Sequence, residues 1–148
     1  MDRVQKIIEL TPEMNKIQKE ILSLEGKTLG DKVRNYILIK YYGMKNYEKE
    51  YGMITRWLID TFIREKTSGC MIRGKGLSKE TLLRICIGSG LTLAESLAVF
   101  GFYGYSLMGP NDNWIWEKLS YIEDEKFKEL ELSGNERLEA LRLFKEDE

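Results

Sequence analysis

The sequence contains no histidine. That removes the commonest general base and the commonest neutral metal ligand. Carboxylate and tyrosine chemistry stay open, yet no paired acids stand at a telling spacing. There is no Gly-rich phosphate loop and no nucleophile elbow. Gly74-Lys75-Gly76 is too short to count as a phosphate cradle. Cys70 and Cys86 form no CxxC pair, and both sit in or near apolar segments. They read as buried thiols rather than as a redox couple or metal ligands. The expectation is a chain that is not an enzyme and uses no metal and no cofactor.

What remains is charge. Net charge is −1, but it is unevenly spread. Residues 31–80 hold eleven Lys/Arg against six Asp/Glu, and residues 111–148 hold six against twelve. A basic middle with an acidic end suggests a polyanion at the middle; a solvated surface with a soluble acidic tail is the plainer alternative. The chain has 148 residues, 43% of them apolar, enough for one domain with a real core. No apolar run reaches membrane-spanning length, and Met1 is followed by Asp2 rather than by a basic region and an apolar stretch. These features predict a soluble, cytoplasmic protein without a membrane partner.

The elements that must position the charges all read helical. Thr11-Pro12-Glu13 has the form of a helix start, a hydroxyl cap with proline at the first position. Met14, Ile17, Ile21 and Leu24 then make a narrow apolar stripe suited to packing on the chain's own body, with Gly26 as the stop. Thr28-Leu29-Gly30-Asp31 is a capping box, and Val33, Tyr36, Ile37 and Tyr41 share the face of the helix it starts, which Gly43 ends. A short helix fits Asn46–Tyr51, and another runs from Thr55 to about Lys66. Ser78 caps a helix whose Leu82, Leu83, Cys86 and Ile87 form a buried face, with Leu77 and Leu82 as its hydrophobic staple. Gly90 ends it, and Thr92-Leu93-Ala94-Glu95 is a second capping box that starts the next helix at once. Further helices fit Trp114–Tyr121 and, after a cap at Ser133-Gly134-Asn135-Glu136, a last segment carrying Leu138, Leu141 and Phe144; Phe127–Leu132 is ambiguous. In the run Phe100-Gly101-Phe102-Tyr103-Gly104-Tyr105, the glycines let the chain turn closely over the domain while the aromatics bury large areas.

Five helical segments thus lie between Gly30 and Leu107. Their most specific stretch is LSKETLLRICIGSGLTLAESLAVFGFYGYSL, Leu77 to Leu107. It resembles the last two helices of the lambda-repressor-like (Cro/repressor, XRE-type) helix-turn-helix family. Gly90-Leu91-Thr92-Leu93-Ala94-Glu95 and Gly104-Tyr105-Ser106-Leu107 carry the match. The resemblance implies an all-α, compact helical bundle: an N-terminal helix over 1–29, a helix-turn-helix-like five-helix core over 30–108, and an appended C-terminal helical extension with an acidic end over 109–148. It also implies a transcriptional regulator that binds double-stranded DNA as a homodimer on half-sites about one helical turn apart.

In that frame Thr55–Lys66 is the reading helix, with a divergent sequence. With Leu58 and Phe62 inward, Arg56, Ile59, Asp60, Ile63 and Arg64 face outward. Thr55, Lys66 and the loop residues Arg73 and Lys75 complete the candidate DNA- or partner-binding set. The arginines suit base edges and phosphates. Asp60 would repel phosphate, and two outward isoleucines equally suit a protein-binding face or cover for the N-terminal helix. The rival function is therefore a protein-interaction module on a degenerate helix-turn-helix scaffold, such as a phage or mobile-element anti-defence inhibitor of the anti-CRISPR kind, acting on a host protein.

Overall fold

The computed structural model describes residues 2–42, 78–132 and 134–143. Among them are seven α-helices and no strand. These are α1 (Arg3–Leu22), α2 (Leu29–Ile37), α3 (Lys79–Ser89), α4 (Leu93–Phe102), α5 (Asn113–Ser120), α6 (Glu125–Glu129) and α7 (Gly134–Ala140). A π-helical turn, Leu38–Tyr42, continues α2, and 3-10 turns occupy Pro110–Asp112 and Tyr121–Glu123. The chain is all-α, as the patterning predicts.

Helix α4 is the centre. Every residue from Leu93 to Phe100 is buried, including Glu95 and Ser96. The Thr92–Glu95 capping box closes in both directions: Glu95 N donates to Thr92 Oγ1, and Thr92 N donates to Glu95 Oε1. Helix α3 enters through the Ser78 hydroxyl, which accepts from Thr81 N, and leaves through Gly90 at φ +80. Only glycine holds that left-handed angle without strain. The stop-and-start at Gly90–Thr92 thus lets α3 pack on α4 directly. The burial of α3 is wider than the four-residue face expected, because all residues from Leu82 to Ser89 are buried. A helix covered on all sides carries little amphipathic signal.

Helix α1 lies along α4, with Ile17 and Ile21 in the core and Met14 and Leu24 packed against it. Its start corrects the sequence reading. Asp2, not Thr11, is the cap, its carboxylate accepting from Gln5 N, and Pro12 sits mid-helix. Proline there forfeits one backbone bond and costs about 3 kcal/mol. The loss is offset by packing on both sides of the exposed Pro12, where Ile7 and Leu10 before it and Ile17 and Ile21 after it all pack inward. The helix also stops at Leu22, with Ser23 as its last cap, rather than at Gly26. Gly26, at φ +144, instead allows close approach to α2: a Cβ there would stand 2.6 Å from that of Asp31.

The remaining differences are small. Helix α5 begins at Asn113 and ends one residue short of Tyr121, which opens a 3-10 turn. The ambiguous Phe127–Leu132 region contributes only the end of α6. Leu138 and Leu141 are buried as expected, and Leu143 with them. In the aromatic run, Phe100 and Tyr103 are buried, but a Cβ at Gly104 would meet nothing within 4 Å, and Gly104 serves through its φ of +79. Gly101 is the one that permits close approach, since a Cβ there would meet Gln18 Nε2 of α1 at 3.1 Å.

Candidate functional site

The residues predicted to bind DNA or a partner, Thr55, Arg56, Ile59, Asp60, Ile63, Arg64, Lys66, Arg73 and Lys75, lie outside the described residues, as do Leu58, Phe62, Gly43, Leu77, Cys70, Ser133 and Phe144. What the structure describes is the frame on either side of residues 43–77.

On the near side, α2 and its π-turn are fastened to α4 by a buried polar cluster. The Tyr36 hydroxyl donates to Glu95 Oε2. Lys40 Nζ donates to the Tyr36 oxygen at 2.9 Å and stands 3.0 Å from Glu95 Oε2. Glu95 is 1% exposed. One carboxylate thus closes the α4 capping box with one oxygen and holds α2 with the other. Burial, and next the bond to Glu95, push the Tyr36 phenol far above its ordinary pKa. Cys86 lies in the same interior, and burial pushes its thiol up to about 12, so it behaves as an inert core group.

On the far side, Lys79 Nζ donates to Asp112 Oδ1 at 2.7 Å and lies over the Tyr105 ring. The Lys79 ammonium is the main reason the Asp112 carboxyl sits below its ordinary value; the Gly109 N–H, which donates to Oδ2, adds to it and burial opposes both. Arg3 Nη1 donates to the Gly109 carbonyl, and Trp116 Nε1 to that of Leu107, so α1, α3 and α5 are tied at one corner.

The basic excess of residues 31–80 is therefore partly committed within the fold. Lys32 donates to the Leu22 and Leu24 carbonyls, Arg34 pairs with Asp31, and Lys40 and Lys79 are held as above. The lysines and arginines of 43–77 carry the rest of it.

Sequence reasoning missed an apolar groove of about 340 Å³ between α1 and α4, lined by Val4, Ile7, Ile8, Leu97, Tyr105 and Met108. Val4, Ile8 and Met108 are exposed. The signal was present, because Val4 and Ile8 stand four apart on one helical face. Starting the helix at Thr11 hid it. Among the described residues no group of acids and cysteines could hold a metal ion, and no helix is long and apolar enough to cross a membrane. No family model, curated protein or solved structure matches the chain.

Proposed function

We propose that the chain is a DNA-binding regulator of the helix-turn-helix type, reading double-stranded DNA through Thr55–Lys66 with help from Arg73 and Lys75. The observation that carries the reading is the succession of Ser78 cap, left-handed Gly90 and Thr92–Glu95 capping box, which falls in the stretch that resembles the last two helices of that family. The test is selection of bound sequences from a random duplex pool, followed by salt titration. Binding should weaken linearly in log–log terms, by about −0.9 per neutralised phosphate. No enrichment at low salt refutes the reading.

A second reading, a protein-interaction module on the same scaffold, is favoured by the exposed Val4, Ile8 and Met108 and by the commitment of flanking lysines to internal partners. Ile59→Asp separates a binding face from a core position: loss of binding with an unchanged melting temperature marks a face, and unfolding marks core.

A further inference from the structure

A second concavity, of about 390 Å³, opens where the C-terminal end of α3 and the N-terminal end of α4 meet the chain from Tyr121 to Leu141. Its floor is apolar, built from Ile87, Leu91, Ile122, Phe127, Leu132 and Leu141. Ile87, Leu91 and Leu141 belong to the core, and Ile122, Phe127 and Leu132 are half-buried. Tyr121 and Phe127 stand ring against ring at 5.4 Å, tilted by 60°. The groove between α1 and α4 differs, because Val4, Ile8 and Met108 on its walls are exposed. Here every apolar side chain of the lining is buried or half-buried. Volume and composition are those of a small-molecule site, an apolar body with few polar groups.

The class of ligand follows from the polar groups around that floor. Two acids, Glu123 and Glu131, and two bases, Lys128 and Arg137, line it, so their formal charges cancel. Three of the four are committed within the fold. Glu123 is held by Lys6 at 2.8 Å, and Lys128 by Glu125 at 3.5 Å. Arg137 donates to the carbonyls of Ile87, Gly88 and Leu132. Among the described residues, no side chain of the lining has a buried polar atom left without a partner. A ligand here meets no excess of either sign and no buried donor or acceptor in need of one. An ion would give up part of its hydration for nothing, whereas an apolar molecule gains by leaving water.

We infer that this concavity binds a small neutral apolar molecule, held on the aliphatic and aromatic floor by burial rather than by charge. The site goes beyond the DNA-reading proposal and shares no residue with it.

The probe is N-phenyl-1-naphthylamine, an uncharged fluorophore, titrated against the folded full chain. Fluorescence should saturate at one site per chain, and binding should not weaken as salt is added. Three competitors with the same tail sort the ligand classes. Decanol should displace the probe at the lowest concentration, and decanoate and decylamine should each need more. Ile122→Trp fills the cavity from a half-buried position and should abolish the saturable signal while the protein still melts cooperatively. Leu132→Trp repeats the test from a different segment. Should both fold poorly, Ile122→Ala, which only trims the floor, should weaken binding several-fold. Ile8→Ser, in the groove between α1 and α4, should leave binding unchanged. The assignment is overturned if no saturable binding occurs, or if binding survives a filling variant that melts cooperatively or is unmoved by Ile122→Ala. It is equally overturned if either ion competes better than decanol, or if Ile8→Ser removes the signal. A signal that appears only as the chain self-associates would make a second copy the occupant and overturn it too.

Discussion

Replacing Tyr36 by Phe deletes one oxygen and leaves the ring in place, so no cavity confuses the result. The lost group is a hydroxyl, on a residue 2% exposed, that donates to the carboxylate of a residue 1% exposed. Hydrogen bonds to charged groups contribute about 1.5–3 kcal/mol, and less solvent access favours the upper part of that range. For a chain of this size each kcal/mol moves the melting temperature by about 2–4 °C, so a fall of roughly 3–12 °C is expected. Lys40 is nearly half exposed and should contribute only about 0–1 kcal/mol, so Lys40→Met is the mild control. Glu95→Ala should be the most severe, at about 3–5 kcal/mol, because it strips the capping box and the tie to α2 together. Urea denaturation of Tyr36→Phe, Glu95→Ala and the double variant gives the coupling directly, expected between about 0.5 and 3 kcal/mol. The sign with pH is also fixed. Tyr36 holds its proton more tightly folded than unfolded, so its contribution is whole below its ordinary pKa of 10.0 and is lost as pH rises above it. Tyr36→Phe should therefore flatten the alkaline loss of stability relative to the parent. Additive single variants, or a Tyr36→Phe cost under about 0.5 kcal/mol, would refute the bond between phenol and carboxylate.

Gly90→Ala forces a side chain into the left-handed region and brings its Cβ to 3.2 Å from Arg137 Nη2, so thermal melts should show a loss of about 1–2 kcal/mol or more. Asp112 has a lowered pKa when folded, so its contribution is present above the ordinary value of 3.8 and is lost as pH falls below it; Asp112→Asn should shrink the acid-side slope of stability against pH, measured by urea denaturation. Cys86, in a Cys70→Ser background, should react with a thiol reagent at neutral pH only as fast as the protein opens, and a rapid stoichiometric reaction would contradict its burial.

Local signals in the sequence were legible where the chemistry is local. Ser78, Gly90 and the two capping boxes bond partners within a few residues, and each stands where the pattern puts it. Pro12 misled because its usual meaning, a first-turn residue, was outweighed by packing on both sides of it, which depends on residues far along the chain. The second task of Glu95 was hidden for a similar reason. Its capping role lies three residues away, whereas Tyr36 lies 59 residues away, and no period or spacing connects them. The π-turn after α2 carries no periodic signature either. The role of Arg137 has no sequence signal either, because a helix position says nothing of carbonyls about fifty residues upstream.

The docking of α1 on α4 has a consequence during synthesis. The Gln18 side chain bonds the carbonyl of Ala98, 80 residues later. A helix the length of α1 can coil in about a microsecond, but at roughly 5–20 residues per second the ribosome needs several seconds to supply its seat. Through that interval Met14, Ile17 and Ile21 have α2 beside them but lack the larger α4 face. Helix α1 must thus wait for α4 before its stripe is covered, and until then that stripe is a segment of the nascent chain that a temporary cover would protect.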